Sequence, residues 1–282
     1  MQGEGRGWGR DDGMPMTDPQ PRIITLLTDF GLDDGTVGVM KGVLLGLAPQ
    51  AQLVDLSHGI GPQDVRAAAI VLGRTAPYFP DGTIHLVVVD PGVGTVRRPM
   101  AARLGPHFYV GPDNGAATRL IERAERLGQA RSFFQLDRPD RWLAKVSDVF
   151  HGRDLFAPVA AHLANGAALE DLGTPFQDPV RLSLSSPVPM PGGLRGEVEY
   201  VDRFGNLRTN IRRADCGDRT PAGVRLGWVE IEGLVRTFGE RPAGELIAFW
   251  GSGEELCVAV VNGSAAARLA LSAGGAVELR VR

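Results

Sequence analysis

Four polar clusters stand where apolar runs of this chain end: Asp29 in TLLTDFG, Asp90 in HLVVVDPGVGTVRR, His151 in VFHGRD, and Asp202 with Asn206 in VDRFGN. Carboxylates at the C-terminal ends of buried strands sit where open α/β sheets place their ligands. The stretch from Asp90 to Arg98 carries the most chemistry. Pro91 and two glycines force a tight loop there, so Asp90, Arg97 and Arg98 can come round to one cavity. A carboxylate beside a guanidinium keeps its charge and can polarise or orient a water. The competing account is a structural ion pair at a turn, which suits Arg98 better than Arg97. His151 adds the side chain best suited to moving a proton near neutral pH, and Gly152 lets the backbone approach a ligand closely. A lone histidine is more often a satisfied polar residue, the reading given to His85, His107 and His162.

Binding chemistry is suggested on either side of this group. Asp29, followed by Gly31, Asp33 and Asp34, can accept two hydrogen bonds from a ribose diol, but aspartates there are equally suited to cap a helix. VDRFGN, with Thr209 and Asn210 after it, suits recognition of an amine and a heteroaromatic base, against the alternative of an Asn-capped turn. The loops WGSG (250–253) and VNGS (261–264) carry the same ambiguity. His58, Asp29, Asp90 and His151 can be gathered into a metal cage on paper, yet none shows metal-ligand spacing, and no metal is expected. No nucleophile elbow, Walker loop or dinucleotide fingerprint is present.

The elements that must hold these residues alternate. Strand-like runs at 23–28, 51–57, 83–90 and 107–111 are interleaved with helical patterns at 37–49, 64–79, 117–128 and 153–166. That order predicts an α/β domain over 21–180 with a mostly parallel central sheet covered on both faces. The PDNG turn (112–115) is explained by Asn-Gly chemistry. Ser, Pro and Gly then mark a linker over 181–193. From 194 to 282 short alternating strands separated by Gly turns, with no convincing helix, predict a small all-β, barrel-like domain.

Composition narrows the class. With 282 residues, 43% hydrophobic and 22% charged, the chain can bury a sizeable core. A net charge of -3 and a pI near 6.0 give no footprint for nucleic acid. Residues 1–20 are Gly-, Asp- and Pro-rich, lack the apolar core of a secretory signal and read as a disordered leader. No apolar run reaches the roughly 18 residues needed to span a bilayer. Cys216 and Cys257 belong to no paired motif and read as reduced structural thiols, so a cytoplasmic protein without a membrane or nucleic-acid partner is expected.

Taken in order, TDFG, SHGI (57–60), DPGVGTVRR, PDNG, FHGRD and FGN with the following TN resemble the S-adenosyl-L-methionine hydroxide adenosyltransferases, also called adenosylmethionine hydrolases. These enzymes are relatives of the fluorinases and chlorinases, and the resemblance runs from about residue 22 to 282. It implies hydrolysis of S-adenosyl-L-methionine to adenosine and L-methionine by displacement at ribose C5′, with no cofactor. It further implies a water-activating group of Asp90, Arg97 and His151. Asp29 would hold the ribose hydroxyls, with Asp34 a weaker carry-over. Asp202 and Ser252 would meet the methionine ammonium and carboxylate. Asn206 would meet the adenine edge, Phe204 would pack near the base, and Asn262 with Gly263 would offer backbone contacts. The family is also homotrimeric, each site lying between the N-terminal domain of one subunit and C-terminal loops of the next.

Two alternatives remain open on sequence. One is a halide-dependent adenosyltransferase. In those relatives a tyrosine-type segment replaces the DPGVG aspartate and the HGRD histidine is absent, whereas Asp90 and His151 stand here. The fluorinase also carries an insertion ahead of PDNG that the run from Arg103 to Pro112 lacks, and its DRFG spacing is one residue longer. The other is a non-catalytic adenosine-binding protein, with a metal-dependent hydrolase more distant.

Overall fold

The computed structural model describes residues 22–282; the leader read over 1–20 lies outside the described residues. The chain begins with β1 (Ile23–Thr28), α1 (Thr36–Leu47), β2 (Gln52–Ser57), α2 (Val65–Thr75) and β3 (Ile84–Val88). It continues through β4 (Pro99–Leu104), β5 (His107–Pro112), α3 (Thr118–Arg126), β6 (Arg131–Gln135), α4 (Ala157–Ala164) and β7 (Thr174–Phe176). The seven strands form one sheet in the order β2-β1-β3-β5-β4-β6-β7.

The expected mostly parallel sheet is corrected to a mixed one. Pairings among β2, β1, β3 and β5 are parallel, while β5–β4, β4–β6 and β6–β7 are antiparallel. The cause is local. Gly105 and Pro106 join β4 to β5 in a two-residue connection, which can only reverse the chain, and β4 is thereby inserted between β5 and β6. Its sequence, PMAARL, lacks the β-branched and aromatic residues that signal a strand.

Both faces of the sheet are covered, which is why its central strand is buried throughout and apolar but for His85. Ile84, Leu86 and Val88 of β3 pack with Met40, Leu44 and Phe156 on one side. Val87 and Val89 pack with Leu72, Tyr109 and Leu120 on the other.

The second sheet holds β8 (Val188–Met190), β9 (Gly193–Val201), β10 (Leu207–Arg212), β11 (Pro221–Leu226), β12 (Val229–Glu232), β13 (Leu246–Trp250), β14 (Glu255–Val260) and β15 (Ala276–Val281). Its order is β12-β11-β15-β9-β10-β14-β13, with β8 added against β9, and every pairing is antiparallel. The edges approach each other where Val235 N donates to Ala248 O at 2.9 Å, so the sheet nearly closes into a barrel. Two details differ from the expectation. Val188–Met190, inside the segment read as linker, is a strand, and α5 (Ala265–Leu269) is a helix too short to show periodicity.

Arginines of the first domain's helices tie the two sheets together. Arg66 pairs with Glu197 at 2.6 Å, Arg74 with Glu255 at 3.0 Å, and Arg119 with Glu199. The carboxylates of Glu199 and Glu255 are almost fully buried, so these ion pairs are needed where they stand: removing one partner would strand a desolvated charge.

Candidate active site

Asp29 and Asp90 leave the C-terminal ends of adjacent parallel strands, because Thr28 of β1 pairs with Val88 of β3. The loop after β3 turns tightly, with Val93 N donating to Asp90 O and Thr95 N to Gly92 O. Gly94 has φ +75°, and a Cβ there would lie 2.5 Å from Asp148 O, so only glycine lets this loop rest against the segment leading to His151. His151 itself opens a π-helical turn, Gly152–Phe156, ahead of α4; such turns are frequent at functional sites.

These placements bring Asp90, Arg97 and His151 into one group. Arg97 Nε donates to Asp90 Oδ1 at 2.8 Å, and Nη2 donates both to Asp90 Oδ2 and to His151 Nδ1, the latter at 3.0 Å. The side chains of Asp90 and Arg97 are only 6% and 11% exposed, and Arg97 also lies over the Phe156 ring. A guanidinium cannot accept, so Nδ1 of His151 must, and the neutral imidazole then carries its proton on Nε2. Burial and then the Arg97 charge hold the His151 pKa below its ordinary value against Asp90, Asp154 and Asp148. Asn114 of the PDNG turn donates from Nδ2 to Val89 O at 2.9 Å, fixing the backbone immediately before Asp90. The sequence offered that asparagine only as a turn residue. Arg98 is structural: it holds Asp113 at 2.9 Å and Asp178 at 2.7 Å.

The remaining sites divide. Asp29 Oδ2 accepts from Gln63 N at 2.7 Å, and Asp34 accepts from Thr36 N at 2.9 Å just ahead of α1, whose N-cap position is Gly35. In the second domain Asp202 organises its own loop. Its Oδ1 accepts from Phe204 N and Asn206 N, each at 3.0 Å, and its Oδ2 from Asn206 Nδ2 at 3.0 Å and Arg208 Nε at 3.2 Å. Burial opposes ionisation of Asp202, but the hydrogen bonds from Asn206 and Phe204 and the Arg208 charge outweigh it and hold the pKa low. Phe204 is left 77% exposed at the loop tip.

This loop meets the one carrying Asn262 and Gly263: Ala266 N donates to Gly205 O at 2.9 Å, and a Cβ on Gly205 would collide with Ser264 Oγ. Ser252 is not with them. It is exposed on the turn before β14 and lines a cleft of about 930 Å³ between the domains with Arg74, Arg119 and Tyr200. Arg208 reaches both regions, because its Nη1 donates to the buried Glu255 at 2.6 Å. Among the described residues no group of three or more His, Cys, Asp or Glu is arranged to hold a metal ion, and both cysteines are free and buried.

An Asp–Arg–His group at the strand ends of an α/β domain is thus followed by an antiparallel, nearly closed barrel with its own polar loops. The sequence matches the SAM hydroxide adenosyltransferase N-terminal domain over residues 24–173 and the corresponding C-terminal domain over 196–278. The chain belongs to that family. It is 44% identical over 270 residues to the (R)-S-adenosyl-L-methionine hydrolase of Thermus thermophilus, covering 92% of this chain and 99% of that one. A fluorinase from an Actinoplanes species is 29% identical over 220 residues, 68% of this chain and 72% of the relative. A crystal structure of an uncharacterised conserved protein from Thermotoga maritima superimposes with a TM-score of 0.83 at 36% identity, over 91% of this chain and 99% of that one.

Proposed function

We propose that this chain hydrolyses S-adenosyl-L-methionine to adenosine and L-methionine, as its hydrolase relatives are named for, and that it takes the R epimer at sulfur. The observation that carries the reading is the fork of Arg97, which ties Asp90 and His151 into one preassembled group. Water oxygen bonds to ribose C5′ while the C5′–S bond breaks, and its electron pair stays on sulfur as the neutral thioether of methionine. A sulfonium leaves readily, so no acid is required; an aligned water in a preorganised site supplies the acceleration.

The roles follow from donor and acceptor count. Asp90 is the only member with lone pairs left over, so it accepts a hydrogen bond from the attacking water and draws off its proton. His151, with Nδ1 occupied, offers Nε2–H to the water oxygen and orients it. A halide in place of the water would face the Asp90 carboxylate and be repelled, which disfavours the adenosyltransferase alternative.

Recognition is divided between the domains. Asp29 keeps Oδ1 for the ribose hydroxyls. Asn206 spends its amide N–H on Asp202 and so presents its carbonyl oxygen to the adenine amine, with Phe204 beside the base and the Asn262–Gly263 backbone at its edge. Asp202 acts chiefly as the clamp of this loop, with the methionine ammonium as a second partner, and Ser252 is assigned the carboxylate; Asp34 shapes the entry to α1. No polar contact links Asp90, Arg97 or His151 to the second domain among the described residues. Leu32, Val96 and Val149, near the catalytic loops, are exposed, as is Phe204. These features support a site whose two halves come from different subunits, in the homotrimer that the family resemblance implies. Free buried thiols suit a cytoplasmic setting.

Incubation of the purified protein with S-adenosyl-L-methionine, with and without chloride or fluoride, should release adenosine and methionine in equal amounts. A 5′-halogenated nucleoside, or unchanged turnover in Asp90→Asn, would overturn the proposal. So would adenosine binding without any methionine release.

A further inference from the structure

The segment SHGI takes no part in the chemistry above, yet its histidine is packed against the turn that carries Asp29. His58 follows β2, and its side chain is 3% exposed. Its Nδ1 lies 2.8 Å from Thr28 Oγ1. Its Nε2 stands 3.0 Å from Asp55 Oδ1, poorly aligned for a hydrogen bond, and Asp55 in turn holds Lys41 Nζ at 2.6 Å. The main-chain carbonyl of His58 accepts from Gly31 N at 2.8 Å. Thr28 and Gly31 bracket Asp29 and Phe30, so one residue fastens both ends of the TDFG turn.

The Asp55 carboxylate, 3.0 Å from Nε2, favours the tautomer with its proton there; Thr28 Oγ1, which accepts from Phe30 N at 3.3 Å, then donates its own hydrogen to His58 Nδ1. Thr28 is fully buried, so a lost partner would leave its hydroxyl unsatisfied. The same loop also reaches the carboxylate directly, since Gln63, held at φ 63°, donates its N–H to Asp29 Oδ2.

We propose that His58 is a positioning residue for substrate binding: through Thr28 and Gly31 it fixes the turn that aims Asp29 at the ribose hydroxyls. The inference rests on the ribose role given to Asp29. Because His58 shares no contact with Asp90, Arg97 or His151, it governs the grip on the nucleoside and leaves the reacting group alone. Lys41 and Asp55 brace it from α1 and β2.

Four variants test this: Asp29→Ala, His58→Gln, His58→Asn and Thr28→Val, each read as KM, kcat and calorimetric adenosine affinity. Asp29→Ala should weaken both KM and adenosine binding; if it does neither, the ribose reading itself fails. His58→Gln, whose amide reaches toward Asp55 instead of Thr28, should raise KM about tenfold, the scale of one buried hydrogen bond, with kcat nearly unchanged. His58→Asn places its amide near the Nδ1 position and should restore most of the loss. Thr28→Val removes only the hydroxyl, should reproduce the KM rise, and should add little to His58→Gln because the two act on one contact. The proposal is overturned if Asp29→Ala weakens binding while His58→Gln and Thr28→Val leave it intact. Equal loss in the Gln and Asn variants, or loss confined to kcat, would also overturn it. Should His58→Gln fail to fold, Thr28→Val alone decides.

Discussion

Arg97→Lys isolates what the fork does apart from its charge. In the structure the guanidinium makes three charge-assisted contacts, two to Asp90 and one to His151 Nδ1. A lysine ammonium preserves the positive charge, so Asp90 is not left uncompensated, but it is a point donor on a flexible stem and can keep only one carboxylate contact. At about 1.5 kcal/mol for each hydrogen bond to a charged group, two lost contacts amount to about 3 kcal/mol. Felt wholly in the transition state, that is a fall in kcat on the order of 10²-fold. The freed Nδ1 of His151 can also take the proton from Nε2, exchanging the donor that faces the water for an acceptor. KM should change little, since no group of the triad grips the nucleoside. Single-turnover release of adenosine, followed by chromatography, measures the step directly, and a thermal melt verifies folding. A kcat within about threefold of the parent enzyme, less than about 0.7 kcal/mol, would show that the charge alone matters and that the forked geometry does not.

Two further outcomes are expected. Gly94→Ala should lower both stability and kcat, because its φ of +75° and a Cβ 2.5 Å from Asp148 O force apart the loops carrying Asp90 and His151. Gly38→Ala, whose Cβ would meet nothing within 4 Å, is the control and should be neutral or stabilising. Acid should destabilise the fold through His85, whose pKa is lowered from 6.5 to about 3 by burial and then by His107. The unfolded chain binds the proton that the folded one refuses, so this contribution is complete above 6.5 and is lost as pH falls toward 3, at about 1.4 kcal/mol per pH unit. Thermal melts between pH 7 and 5 should therefore fall less steeply in His85→Gln; equal slopes would exclude His85 as the cause.

The parts of this molecule that were legible in its sequence are those where one residue's chemistry is tied to its own local position. Asp90 and His151 could be singled out because a polar residue ends an apolar run in each case, and the turn chemistry of DPGVG predicts the return of Arg97. The insertion of β4 was not legible, since a strand reading PMAARL, without β-branched or aromatic residues, takes its stability from neighbours on both sides instead of from its own propensity. The same holds for Asn114 and His58. Each donates or accepts across a long sequence separation, to Val89 and Thr28 respectively, and no periodicity records such a bond. Arg208 was missed for a further reason. Its two acidic partners are Asp202, in the loop after β9, and Glu255 on β14, and these come to either side of Arg208's own strand β10 only in the barrel.

That last arrangement bears on how binding and catalysis are joined. Asp202 accepts from donors of its own loop and from Arg208, and Arg208 is held by Glu255, which also meets Arg74 of the first domain. The recognition loop is therefore braced through a buried carboxylate against α2 of its own chain, while Phe204 at its tip points to solvent. A loop stiffened from behind and unfilled in front is suited to close over a substrate held by another surface. The catalytic loops supply a surface of that kind, preassembled within the first domain and bordered by exposed apolar side chains. In the proposed trimer, assembly would do what neither half can do alone: exclude water from the nucleoside while leaving one water at Asp90, with the rigidity of both halves before they meet lowering the entropy cost of aligning that water with C5′.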